Sequence, residues 1–73
     1  MNPMIKPVRY HVLVINDKKD ILRDYVFNGD YNQEQDIAKR AINRVSNQEG
    51  FAIIVESRST STGKIIKDLE FNY

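Results

Sequence analysis

Residues 8–16 read VRYHVLVIN, a run rich in β-branched and aromatic side chains. These residue types favour extended backbone, and we predict a β-strand here. Alternate side chains of a strand point to opposite faces of its sheet. One face carries Val8, Tyr10, Val12 and Val14, and the other carries Arg9, His11, Leu13 and Ile15. Both faces therefore hold large apolar groups that the rest of the chain must shield.

Three more strands are predicted around this one. After a polar turn at residues 17–20, ILRDYVF at residues 21–27 predicts a strand that forms a hairpin with the first. FAIIVESR at residues 51–58 and KIIKDLEFNY at residues 64–73 predict a second hairpin, with its turn at residues 59–63. Pro3 and Pro7 keep residues 1–7 extended, so we predict an N-terminal arm followed by one domain over residues 8–73.

A helix is predicted between the two hairpins. Asn32 is the expected N-cap, with Gln35 in capping-box spacing, and Glu34 and Asp36 place negative charge in the first turn. Gly50 is expected to end the helix in a left-handed conformation. The apolar stripe consists of Ile37, Ala38, Ala41, Ile42 and Val45. The order β-β-α-β-β predicts an α+β domain, a four-stranded, mainly antiparallel sheet with one helix packed on one face.

The predicted core lies between the helix stripe and one face of the sheet. From the strands it takes Tyr10, Val12, Val14, Tyr25, Phe27, Phe51, Ile53, Val55, Ile65, Leu69 and Phe71. The uncovered face then shows Leu13, Ile15, Leu22, Val26, Ala52, Ile54 and Ile66. A half-solvated sheet ordinarily carries polar residues there, so this apolar patch needs an explanation.

Three explanations of the patch stay open. The N-terminal arm could cover it with Met4 and Ile5. A partner could cover it, most simply a second copy of the chain across a two-fold axis. An error of one residue in strand register would exchange the two faces. The second explanation predicts a partner surface made of Leu13, Ile15, Leu22, Val26, Ile54 and Ile66.

Composition narrows the function. The chain has 73 residues, no cysteine, one histidine and a formal net charge of +1. Disulfides are excluded, and a zinc site, which usually needs several Cys or His ligands, is not expected. The balanced charge is typical neither of a strongly basic nucleic-acid binder nor of an acidic DNA mimic. No apolar run suits a signal peptide or a membrane span, and we predict a cytoplasmic protein without cofactor.

Catalysis is not predicted. His11 is the only candidate general base for a nucleophile, and it lies in the middle of a strand without a neighbouring motif. A strand histidine that faces water or a carboxylate is the commoner case. The carboxylates Glu56, Asp68 and Glu70 are expected to pair with cations across the hairpin. The protein is therefore predicted not to be an enzyme.

Two alternatives to a protein-binding surface involve anions. A modest basic stripe for nucleic acid would combine Lys39, Arg40 and Arg44 of the helix with Arg58 and Lys64 of the hairpin. Its binding would be weak and strongly salt-dependent. A small anion could instead bind at the hairpin tip, where Ser59 and Thr60 stand between Arg58 and Lys64. A solvated, salt-bridged helix face and an ordinary polar turn are the simpler interpretations.

Short motifs resemble a group of bacterial and phage proteins. Tyr10-His11-Val12 opens the first strand, and Gly63-Lys64-Ile65 opens the last. With the helix rich in Gln and Ala, these motifs resemble short uncharacterised β-β-α-β-β domains, although the tryptophan common in their second strand is absent here. The resemblance implies the architecture and a bacterial or phage source, and it carries no functional residue. From the apolar patch on the uncovered face, we predict a small protein-interaction module, a regulator or inhibitor that binds a host protein and self-associates through the open sheet face.

Overall fold

The computed structural model describes residues 6–45 and 50–73. Its elements are β1 (Val8–Ile15), β2 (Ile21–Gly29), α1 (Glu34–Ile42), β3 (Ala52–Ser59) and β4 (Ile65–Asn72). The strands form one sheet in the order β2-β1-β3-β4, and every neighbouring pair is antiparallel. The predicted α+β class and the β-β-α-β-β order are confirmed.

The core lies between α1 and the two central strands. Apolar side chains at alternate positions of β1 and β3 meet the apolar stripe of the helix, where two alanines allow close approach to the sheet. The buried cluster consists of Val8, Tyr10, Val12, Val14, Ile37, Ala38, Ala41, Ile42, Ile53 and Val55. Leu22, Tyr25, Phe27, Val45, Phe51 and Phe71 pack against its margins and are only partly buried. The helix therefore shields the middle of one sheet face and leaves the edges open.

A bulge between β3 and β4 exchanges the sheet faces that were predicted for Ile65 and Ile66. The register shifts between Ser57 and Arg58, so that Arg58 pairs with Ile65. Ile65 is consequently 52% exposed instead of contributing to the core. Ile66 lines a cavity together with Tyr10 on the helix side, and it does not lie on the uncovered face. The predictions for both isoleucines were wrong because strict alternation does not hold across a bulge.

A second irregularity, between β1 and β2, moves Leu22. Val14 pairs with Arg23 and Ile15 pairs with Ile21, so the residue between them has no partner on β1. Leu22 packs against the core cluster instead of standing on the uncovered face. The sequence offered no sign of this bulge, because it depends on how the turn joins the two strands.

Both predicted ends of the helix differ from the structure. Asn32 has a φ of 64°, a left-handed conformation, and the N-cap is Gln33. The helix ends at Ile42, well before Gly50. Gly50 is left-handed as expected, with a φ of 75°, but its amide donates to the carbonyl of Tyr73 at 3.1 Å. It therefore helps to join the start of β3 to the end of β4.

Candidate functional site

The outer face, meaning the sheet face opposite α1, has an apolar half. The register of β1 and β3 pairs Leu13 with Ile54 and Ile15 with Ala52. Leu13 and Ile54 are half-buried, whereas Ile15 and Ala52 are 6% and 8% exposed. Val26, on the neighbouring edge strand, is 62% exposed. Four of the six residues predicted for a partner surface therefore share this face, and Leu22 and Ile66 do not.

The other half of the outer face is polar, and four of its charged or titratable residues are in contact as two pairs. His11 Nε2 lies 2.5 Å from Asp24 Oδ1, and Arg58 Nε donates to Glu56 Oε1 at 2.7 Å. The first contact joins the neighbouring strands β1 and β2, whereas the second joins two residues on the same face of β3. The histidine thus lies beside a carboxylate, the geometry expected of a strand histidine. This polar half forms a border to the apolar half.

The polar groups of the hairpin tip hold the turn itself. Thr60 Oγ1 donates to the carbonyl of Lys6 at 3.0 Å, and Ser59 Oγ accepts from the Thr62 amide at 3.3 Å. The Lys64 amide donates to Thr62 Oγ1 at 3.3 Å. These groups are already occupied in the turn, so the predicted anion site has few donors left.

The register brings one further cation to the hairpin tip, which the sequence reading did not single out. Arg9 pairs with Arg58 across β1 and β3. Both border a cavity of about 90 Å³ with Ser59, Thr60 and Gly63. Arg58 also donates to the carbonyl of Gly63 at 2.7 Å, which leaves Arg9 as the freer charge within the described part of the chain. Strand alternation places Arg9 on the same face of β1 as His11 and Leu13, and this pattern in the sequence could have identified Arg9.

The cations of the helix do not join those of the hairpin. Lys39 and Arg40 are exposed on α1, and Arg44 is exposed in the turn that follows it. Arg58, in contrast, lies on the outer face, on the other side of the sheet. The guanidinium of Arg44 lies over the ring of Tyr25, 5.4 Å from its centroid, so it also covers apolar surface. The structure thus provides two separate small basic regions instead of one stripe.

Tyr10 is the buried polar centre of the helix side. Its hydroxyl donates to the carbonyl of Asp30 and accepts from the amide of Gln33 at 3.2 Å. Burial, as the largest cause, raises the pKa of Tyr10 above its ordinary value. This side chain fixes the loop that leads into α1, a role that the sequence analysis did not assign.

A buried carboxylate lies next to Tyr10. The side chain of Glu34 is 5% exposed, and Lys67 Nζ lies 3.5 Å from its Oε1 atom. Lys67 also donates to Asn32 Oδ1 at 2.8 Å. Among the described residues, neither Glu34 Oε2 nor Ser57 Oγ has a hydrogen-bond partner. The Lys67 contact ties the start of α1 to the edge strand β4.

Comparison with known proteins gives no relative. No family model, curated protein or solved structure matches the chain. In residues 6–45 and 50–73, no helix has the length and apolar character needed to cross a membrane. The residues Met4 and Ile5, which could cover the outer face, lie outside the described residues.

Proposed function

We propose that the protein is a non-enzymatic interaction module that docks a second copy of itself on the outer face. The observation that supports this proposal is the paired Leu13 and Ile54 at the centre of a sheet face that α1 does not cover. With the exposed Val26 beside them, they form an apolar centre within a polar border. Docking surfaces commonly combine an apolar centre with a polar rim.

Because the domain is small, burial of a few side chains at an interface would be a large part of its stability. Complete burial of an aliphatic side chain contributes roughly 1.5–3 kcal/mol, and partial burial contributes proportionally less. A domain of this length is expected to have a total stability of about 5 kcal/mol. Burying Leu13, Ile54 and Val26 against a partner would therefore add a considerable fraction of that stability. Self-association is one of the ways by which small folds without disulfides stay folded.

The border of the apolar half is only partly paired. It includes the contacts of His11 with Asp24 and of Arg58 with Glu56, and on β4 it includes Glu70, which lies opposite Ile54 and forms no ion pair among the described residues. The paired charges oppose the approach of a second copy only weakly, and the two copies must be arranged so that their Glu70 carboxylates stay apart. A two-fold axis would place the same apolar centre of both copies in contact.

The test is the mass of the protein in solution across a concentration series. Sedimentation equilibrium of the wild type should show a shift from monomer to dimer. Leu13→Asp and Ile54→Asp should remain monomeric, because each would bury an unpaired charge at the interface. Tyr31→Asp is the matched control, since Tyr31 is 57% exposed and lies outside the outer face. A monomeric wild type, or equal dimerisation of all variants, would contradict the proposal.

Weak nucleic-acid binding is the second candidate function. The observation in its favour is the exposure of Lys39 and Arg40 on α1 and of Arg44 in the turn that follows it. Binding of this kind depends on neutralised phosphates and weakens steeply as salt increases. A gel-shift titration at low and moderate salt tests it, and lack of retardation at low salt would eliminate this candidate.

A further inference from the structure

Among the described residues, no strand pairs with the outer edge of β4. Strand β4 pairs with β3 and ends the strand order. The amide of Tyr73 donates to the carbonyl of Phe51 on the β3 side at 2.9 Å. In an antiparallel ladder, alternate residues direct their backbone groups to the same neighbour, so those of Asp68 and Glu70 turn away from β3. A row of outward amides and carbonyls is a template for one more strand.

The helix side of β4 carries a groove in which Leu69 and Phe71 are the two apolar residues. A cavity of about 210 Å³ separates β4 from α1, and it is lined by Asn32, Glu34, Gln35, Lys67, Leu69 and Phe71. Leu69 is 39% exposed, and Phe71 is half-buried. A strand added beside β4 would place every second side chain next to Leu69 and Phe71, on the same face of the sheet. Apolar side chains at those positions would cover the groove.

The outer side of β4 is acidic. Asp68 pairs across the sheet with Glu56, and Glu70 pairs with Ile54. Glu56 is neutralised by Arg58, whereas neither Asp68 nor Glu70 forms an ion pair within the described part of the chain. An added strand would place its remaining side chains next to these two carboxylates. Lysine or arginine is the complementary choice at those positions.

The same charges disfavour a second copy at this edge. In a two-fold antiparallel pairing of β4 with itself, opposed residues lie on the same side of the sheet. In the registers with good overlap, Asp68 or Glu70 of one copy meets the same carboxylates of the other. Like charges that face each other across strands are destabilising. The strand that fits must therefore differ in charge from β4.

We propose that β4 accepts an extended segment of another protein in which apolar residues alternate with lysine or arginine, as a fifth strand of the sheet. The apolar residues contact Leu69 and Phe71, and the basic residues contact Asp68 and Glu70. This site uses the edge of the sheet and does not need Leu13 or Ile54. It does not require self-association, but the two surfaces adjoin where Glu70 lies opposite Ile54.

A synthetic peptide that alternates valine and lysine, about as long as β4, tests the proposal. Titration at low salt, followed by amide NMR, should shift the resonances of residues 66–72 and slow the hydrogen exchange of Asp68 and Glu70. A peptide of the same composition, with its valines and lysines in separate blocks, is the matched control and should bind at least tenfold more weakly. Methylating the peptide amides that face β4 should abolish binding, whereas methylating the opposite edge should not.

Charge exchange in the protein completes the test. Asp68→Lys with Glu70→Lys should weaken the valine–lysine peptide by roughly tenfold and should favour a valine–glutamate peptide instead. Asp20→Lys with Asp36→Lys makes the same change in net charge at exposed residues outside β4 and should leave peptide selectivity unchanged. Equal binding of both peptide orders, insensitivity to amide methylation, or shifts confined to the outer-face residues Leu13 and Ile54 would overturn the proposal.

Discussion

Removing one hydroxyl group, by Tyr10→Phe, should destabilise the domain far more than its size suggests. The Tyr10 side chain is fully buried, and its hydroxyl joins the carbonyl of Asp30 to the amide of Gln33. Phenylalanine keeps the ring in the core and removes both hydrogen bonds. The loop that leads into α1 then loses its attachment to β1.

The expected loss follows from the two partners that are left behind. A buried donor or acceptor without a partner costs about 1–3 kcal/mol, and because Asp30 is exposed and Gln33 half-buried, water can replace part of the loss, so the pair together should cost about 2 kcal/mol. In a domain of this length, 1 kcal/mol corresponds to roughly 4–8 °C in Tm. Tyr10→Phe should therefore lower the Tm by roughly 8–16 °C.

Thermal and urea unfolding, followed by circular dichroism, measure this loss. Tyr31→Phe is the matched control, because it removes the same hydroxyl group from an exposed side chain. The control should change the free energy of unfolding by less than about 0.5 kcal/mol. If Tyr10→Phe and Tyr31→Phe gave equal small changes, the hydroxyl of Tyr10 would not be holding the loop.

Two further predictions concern Tyr10 and its neighbour Glu34, and a third concerns the turn between β3 and β4. Because the pKa of Tyr10 is raised in the folded state, its contribution to stability is present below about pH 10 and is lost as the pH rises through the folded pKa. Urea titrations should show a steeper alkaline loss in the wild type than in Tyr10→Phe, and parallel curves would contradict this. Lys67→Met should lower the free energy of unfolding by about 2 kcal/mol, because it leaves Glu34 buried without its cation. Adding Glu34→Gln should restore part of this loss, and additive effects of the two substitutions in a double-mutant cycle would argue against the contact. Gly63→Ala should cost about 1 kcal/mol from backbone strain alone, since Gly63 has a φ of 74° and no atom lies within 4 Å of an added Cβ; unchanged stability would show that the turn can relax.

The class of the fold and most of the core could be predicted because periodicity is a local property. Alternation in β1 assigned Tyr10, Val12 and Val14 to the core, and the helical spacing of Ile37 and Ala41 assigned the matching stripe. These patterns are repeated along each element. Small errors at the ends of an element do not erase them.

The errors lie where a single residue changes the geometry. Each bulge adds one residue to a strand, which turned Leu22 towards the core and exchanged the faces of Ile65 and Ile66. No propensity distinguishes these positions from their neighbours. Asn32 was expected to cap the helix, but asparagine also tolerates the left-handed conformation that it adopts here. The local preferences of asparagine permit both the N-cap and the left-handed conformation, and the tertiary structure determines which of them Asn32 adopts.

The contact between the buried Glu34 and Lys67 was missed for a different reason. Glu34 in a first helical turn ordinarily faces solvent, and only its distance to Lys67 in the folded chain shows otherwise. Lys67 shares a strand face with Leu69 and Phe71, so a charge on the side of the sheet that faces the helix was a signal available in the sequence. The groove beside β4 could not be predicted either, because the sequence alone did not show that β4 is an edge strand.

The most direct measurement is an isotope-filtered NOE experiment on a mixture of labelled and unlabelled protein at high concentration. If the outer face docks a second copy, the methyl groups of Leu13 and Ile54 will show contacts between molecules, and those of Val26 will join them. Leu69 on the opposite side of the sheet will show none. Absence of contacts between molecules at Leu13 and Ile54 under these conditions would contradict the proposed docking surface.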